Sequence, residues 1–178
     1  MKFYIYFILF LSFSCKTLEK NRHSDAFFPS NYLGKWEGKL LISNAKGKDS
    51  VDMSLTLSAI NDSTFSWKIV YGLDTLKGLR NYQLIRKNTT TFIIDELNGI
   101  RLDAYFFHNK LVSRFSVMNN LLDCIYTFQK DTIVFEVLSG KENSINSTGD
   151  TIFNMDTIPI VRNFALTNYQ IAYLHRLK

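Results

Sequence analysis

From Val51 the chain alternates strictly. Val51, Met53, Leu55, Leu57 and Ala59 fall on one side, and Asp52, Ser54, Thr56 and Ser58 fall on the other. A period of two marks a strand with one buried face, because successive side chains leave the backbone in opposite directions. Phe65, Trp67, Ile69 and Tyr71 repeat the pattern against Thr64, Ser66 and Lys68, and Asn61-Asp62-Ser63 between the two runs is a polar cluster suited to a hairpin. Further on, turn signals recur at intervals of about ten residues. Asn98-Gly99 is a pair that a type I′ turn favours, since both central residues take positive φ. His108-Asn109, Asn119-Asn120 and Lys130-Asp131 follow, separating the runs IRLDAYFF, KLVSRFSVM, LLDCIYTFQ and TIVFEVL. Spacing this short leaves no room for crossover helices and predicts consecutive antiparallel strands. Residues 79–86 and 90–96 read as two further strands of weaker pattern. With one strand at 33–43, eight between residues 51 and 138 and one at 169–176, the count is about ten.

An open meander of that size would leave two unpaired edges, and closure into a barrel removes them. The pattern therefore predicts an all-β domain, an antiparallel up-and-down meander closed into a barrel, with a sandwich or half-open roll as the alternatives. Phe106 beside Phe107 and Leu121 beside Leu122 put apolar groups on both faces, so part of the outer wall is expected to be covered. Residues 139–158 begin rich in Ser, Asn, Gly and Asp, which predicts a long mobile loop.

Composition agrees with strands: aromatic content is 15%, and there are only two prolines to interrupt ladders. The N-terminus differs from the rest. One Lys is followed by an apolar run over residues 3–14 that reaches Cys15, too short for the roughly 20 residues of a spanning helix. A basic start and a short apolar core are the pattern of a secretory signal. Residues 1–14 are then a signal peptide, 15–30 a polar tether of mixed charge without periodicity, and 31–178 the β domain. Losing Lys2 with the signal takes the 21 Lys and Arg to 20 against 16 acidic residues, a mild excess with no basic block. Nucleic acid is therefore not an expected partner.

Candidate chemistry is sparse. Of three His, His23 lies in the tether and His108 in a predicted turn, and there is no Gly-X-Ser-X-Gly elbow. Asp95-Glu96 with Asp103 could be read as a glycosidase pair. Adjacent residues of a strand point to opposite faces, however, and carboxylates beside a turn commonly satisfy backbone groups. Cys124 is the one thiol besides Cys15, so paired-cysteine zinc patterns do not arise, and it reads as a small buried hydrophobe. No catalytic residue, metal site or cofactor is expected, and the chain is read as a non-enzyme.

Two stretches carry resemblances. Leu11-Ser12-Phe13-Ser14-Cys15 resembles a bacterial lipobox, with small Ser14 before the Cys, although Phe13 departs from the small residue usual at that position. The resemblance implies that Cys15 is lipidated and becomes the first residue of the mature chain, anchored to a membrane of the cell envelope, the outer membrane being expected. Two or more acyl chains suffice for stable anchoring. Ordinary secretion with an incidental Cys15 is the alternative.

Tyr32-Leu33-Gly34-Lys35-Trp36-Glu37-Gly38 resembles the Gly-X-Trp signature on the first strand of lipocalins and the wider calycin group, which includes fatty-acid-binding proteins and nitrobindin-like barrels. It implies that Gly34 and Trp36 close the barrel base and that an Arg of the last strand, Arg176 or else Arg162, stacks across the indole. Nitrobindin-like barrels hold haem through a C-terminal His. Here His175 is present, but Asn168-Tyr169-Gln170 stands where the ligand would be, and haem is not expected. The resemblance implies an apolar ligand inside the barrel. Trp67, Tyr71, Phe115 and Tyr126 are the candidate lining, with Arg101 and Arg114 as candidate anchors for a carboxylate head group, although both stand opposite the more apolar face of their strands. The competing reading is a non-enzymatic interaction or envelope-maintenance lipoprotein whose barrel is filled by side chains.

Overall fold

Period-two alternation gives strands their one apolar face, and the computed structural model wraps that face into a cylinder. It describes residues 28–74 and 76–177; the signal segment, Cys15 and the tether as far as residue 27 lie outside the described residues. A 3-10 turn, Ser30–Tyr32, precedes β1 (Gly34–Asn44), β2 (Gly47–Ala59), β3 (Thr64–Tyr71), β4 (Leu79–Arg86), β5 (Thr91–Asp95), β6 (Arg101–Phe107) and β7 (Lys110–Val117). Then come β8 (Asn120–Phe128), β9 (Thr132–Lys141), four short strands, β10 (Asn146–Thr148), β11 (Thr151–Phe153), β12 (Asp156–Ile158) and β13 (Val161–Asn163), and finally β14 (Leu166–Arg176). Strands β1 to β9 pair in sequence and β14 lies between β9 and β1, closing a ten-stranded antiparallel barrel. This is the closed up-and-down barrel that the alternation predicts.

The strands run alternately between two ends. At the base, Phe28 is 1% exposed and lies flat on Phe106 at 3.9 Å between ring centroids, with Phe92 and Phe128 edge-on at 5.2 and 4.8 Å. Leu84, Leu111, Ile133 and Leu174 complete the plug and are likewise buried. Arg86 leans over the Phe65 ring and donates from Nη2 to the Phe28 carbonyl. The folded unit therefore begins before the predicted boundary at residue 31: an apolar ring placed just ahead of the polar Ser30-Asn31 pair finds the barrel floor, a long-range contact that no local period announces.

Two further expectations need correction. Residues 139–158 are not a structureless loop. β9 continues to Lys141, β10 pairs with β13, and β11 pairs with β12, forming a nested ribbon beyond the mouth of the barrel. Asn154 and Met155 take φ of 51° and 69° and turn its tip, while Gly149 at φ 81° lets the chain pass Pro159, whose carbonyl oxygen would stand 2.1 Å from an added Cβ. Thr151-Ile152-Phe153 against Asp156-Thr157-Ile158 is enough to pair once such a turn brings the strands together, though Ser, Asn and Gly dominate the flanks. The turn at Asn98-Gly99 is also wider than expected, with positive φ at Leu97 and Gly99 and the Ile100 carbonyl accepting from Glu96 N. Of the outer apolar groups, Phe107 remains 58% exposed and stacks beside Tyr105.

Candidate functional site

Above the aromatic plug the inward rows change character. Leu111, Ser113 and Phe115 on β7, Tyr126, Cys124 and Leu122 on β8, and Leu174, Ala172 and Gln170 on β14 climb toward the mouth, and polar groups enter the apolar series on the way. The upper half encloses a cavity of about 260 Å³. Trp67, Tyr126 and Phe135 form its buried floor, and Tyr71, Glu96, Phe115 and Gln170 surround its upper part. The Trp67 and Tyr126 rings meet edge to face at 4.9 Å.

All four aromatic residues proposed to line the interior, Trp67, Tyr71, Phe115 and Tyr126, are brought together in this wall. Arg101 and Arg114 are not. Their side chains are 55% and 69% exposed on the outer wall, Arg101 paired with Asp95 at 3.2 Å and Arg114 held by both oxygens of Asp123. The anchoring role expected for them is corrected by strand parity, which sends each of them away from its inward neighbours. Asp95 also accepts from Leu97 N at 2.9 Å, a bond that holds the turn after β5.

The polar lining was not singled out from the sequence. Ser113 interrupts an otherwise apolar inward row, and that interruption was its signal. Among the described residues, Ser113 Oγ and Trp67 Nε1 are the buried side-chain polar atoms that make no hydrogen bond. The Trp67 N–H favours the anionic form of Tyr126 without reaching hydrogen-bond geometry. Burial dominates the titration of this pocket. It holds the Tyr126 and Tyr71 phenols well above the ordinary range, with neighbouring Cys124 reinforcing both. The Cys124 thiol is pushed up to about 11, first by burial and then by Asp123 and Glu96. Tyr82 rises through burial and the Glu96 charge beside it. At neutral pH the wall therefore presents phenols, a thiol, a hydroxyl and an indole N–H, all protonated, with no Lys, Arg or His in the lining among the described residues. Such a surface can donate hydrogen bonds into an apolar space, and Glu96 is the one carboxylate of the lining. Among the described residues no cluster of three His, Cys, Asp or Glu could hold a metal ion.

The opposite end is locked. Gly34, at φ 129°, bends the entry of β1 in a region that favours glycine. Trp36 is fully buried and donates from Nε1 to the Tyr32 carbonyl at 3.0 Å. The Arg176 guanidinium lies 4.3 Å from the Trp36 ring and donates to the carbonyls of Leu33 and Asn31 at 2.9 and 3.0 Å. Arg162 belongs to the ribbon, on β13. His175 faces out beside Thr132, 3.3 Å from its hydroxyl. A larger concavity of about 500 Å³ lies on the outer wall of β1, β2 and β3, where Lys35 pairs with Glu37 and Asp52 with Lys39. Lys35, Glu37 and Asp52 are exposed and paired there and Lys68 is exposed on the same open wall, so the interior cavity is the better candidate site.

Fold and cavity together define a small closed up-and-down β-barrel, sealed at one end and hollow at the other. No family model matches the chain, and no curated protein matches it. Among solved structures it is similar to a protein of unknown function of the DUF3598 family from Nostoc punctiforme, with a TM-score of 0.58 at 9% identity. That match covers 83% of this chain and 48% of the other, so the chain spans about half the length of that protein, and the likeness is one of fold. A variant of the fluorescent protein UnaG matches with a TM-score of 0.44 at 14% identity, covering 84% of this chain and 98% of the other.

Proposed function

We propose that the chain is a lipid-anchored protein of the bacterial envelope that binds a small apolar ligand inside its barrel and does no catalysis. The observation that carries the ligand reading is the cavity above the aromatic plug. Its wall is aromatic and aliphatic with a few convergent polar groups, the make-up of small-molecule sites. The anchor reading rests on the N-terminal sequence, in which a short apolar run ends at Ser14-Cys15. Native mass spectra of the full chain purified from a bacterial host test the first part, a small hydrophobic molecule released on denaturation being the expected result. Labelling with radioactive palmitate tests the second: the wild-type chain takes up label and partitions with membranes, and Cys15→Ser does neither. A protein-docking role is the second reading, favoured by the ribbon, where Ile152, Phe153 and Met155 are 74%, 66% and 97% exposed.

A further inference from the structure

Two polar groups in the cavity wall make no hydrogen bond in the fold, although the Trp67 N–H lies close enough to the Tyr126 phenol to favour its anionic form. Trp67 is 0% exposed and Ser113 is 3% exposed, yet neither the indole N–H nor the hydroxyl makes a hydrogen bond among the described residues. Roughly nine in ten buried polar groups are paired in native proteins, so two exceptions in one wall call for a reason. They stand on β3 and β7, four strands apart in a ring of ten, and so face the cavity from well-separated walls. Trp67 can only donate, and Ser113 can donate or accept.

The charges narrow what could meet them. The lining carries one carboxylate, Glu96, and no cation among the described residues, while Arg101 and Arg114 are committed to Asp95 and Asp123 on the outside. A guest carboxylate would give up its hydration and face Glu96, with no cation in the lining to contact it, the Arg80 charge reaching Tyr71 and Tyr82 from outside that lining. A pure hydrocarbon would leave the Trp67 and Ser113 groups as unsatisfied as before. Burial holding the phenols and the Cys124 thiol in their neutral forms reports the same environment, one that resists negative charge.

We propose that the cavity takes a neutral apolar molecule carrying a carbonyl-type hydrogen-bond acceptor, which Trp67 Nε1–H and Ser113 Oγ–H bind, and that it does not take a free fatty acid. This deepens the ligand-binding reading above and rests on it. The volume of about 260 Å³ lies just below the roughly 300–1,000 Å³ of sites for drug-sized ligands, so the guest is small or only its head enters.

Three probes with the same acyl or alkyl length separate the chemistries: methyl decanoate, decanoate and decane, each titrated near pH 7 into the full chain and followed by native mass spectrometry and tryptophan fluorescence. The ester binds about tenfold more tightly than either other probe. Ser113→Ala lowers its affinity about three- to tenfold, the range for one hydrogen bond, and leaves decane unchanged. Ser113→Ala also raises the melting temperature of the unliganded chain, because it removes a buried hydroxyl that had no partner. A structural hydroxyl would shift stability and affinity in the same direction. Trp67→Phe, which keeps the ring and removes the N–H, gives the same loss of ester preference. Decanoate or decane binding as tightly as the ester overturns the proposal and leaves the ligand-binding reading standing. An ester preference that survives in both variants overturns the assignment to these two groups. Failure of all three probes to bind overturns both readings together.

Discussion

Arg176 is the last link of the barrel seam, and its removal is the sharpest test of how the base is held. The side chain does three things in the structure: it lies 4.3 Å from the Trp36 ring, and it donates to Leu33 and Asn31 carbonyls at 2.9 and 3.0 Å. A cation over an aromatic ring at a partly exposed site contributes about 0.5–1 kcal/mol. Charge-assisted bonds to carbonyls reach about 1.5–3 kcal/mol when buried, but the exposed guanidinium is partly solvated and about 0.5–1 kcal/mol each is the better figure. Arg176→Ala should therefore cost about 2 kcal/mol. Arg176→Lys, which keeps the charge but not the two-pronged geometry, should cost about half of that. For a domain of this size 2 kcal/mol corresponds to a melting temperature lower by about 4–8 °C. Urea unfolding at equilibrium, followed by tryptophan fluorescence and far-ultraviolet circular dichroism, measures it. A double-mutant cycle with Trp36→Phe isolates the ring contact, with about 0.5 kcal/mol or more of coupling expected. An Arg176→Ala midpoint within experimental error of wild type, or zero coupling, refutes the view that this residue latches β14 to the entry of β1. Ligand affinity should not change, because the cavity lies toward the other end.

Other perturbations report on other parts. Phe28→Ala removes the ring on which the base is stacked and should cost about 3–5 kcal/mol by urea unfolding, although the residue lies ahead of the first strand. Gly38→Ala would place a Cβ 2.2 Å from the Tyr173 carbonyl oxygen, so β1 and β14 must separate there, and a loss of about 1–3 kcal/mol is expected. Cys124 should react slowly with iodoacetamide near pH 8 in the folded chain and rapidly after unfolding, as the thiolate is scarce below about 11. Because its folded value is raised, the native state keeps a proton that the unfolded chain releases. Stability from this group is complete below about 9 and is lost as pH rises through about 11, a fall of roughly 2–3 kcal/mol that Cys124→Ala abolishes.

The strands were legible because one face of each meets the core and the other meets water or the outer wall, so burial imprints a period of two. Phe65, Trp67 and Ile69 are buried, and Thr64, Ser66 and Lys68 between them are not. The same rule made the exposure of Arg101 and Arg114 readable, since each neighbours an inward residue. Local turn geometry was readable only approximately. The β7–β8 turn uses Met118 and Asn119, both at positive φ, one residue earlier than the Asn119-Asn120 pair suggests. Asn tolerates the left-handed region, but the ladder register decides which residue occupies it, and that register is a property of both strands. Phe28 and the β10–β13 ribbon were not legible for a related reason: their partners are distant in sequence or depend on a turn already formed, and neither leaves a long enough local pattern.

The base and the cavity divide two demands that conflict. A polar group buried without a partner costs about 1–3 kcal/mol, so holding Ser113 and Trp67 unpaired weighs against the fold. The aromatic plug of Phe28, Phe92, Phe106 and Phe128 offsets this, since paired rings contribute about 0.5–1.5 kcal/mol each beyond the area they bury. Because the two sets occupy different levels of the same cylinder, substitutions in them should differ in sign. Changes in the plug lower stability and leave affinity nearly alone, whereas removal of an unpaired cavity group raises stability and lowers affinity for an acceptor-bearing guest. A barrel whose interior served packing alone would have no reason for the second pattern: an apolar residue at position 113 would complete the inward row of β7, as Leu111 and Phe115 do on either side of it.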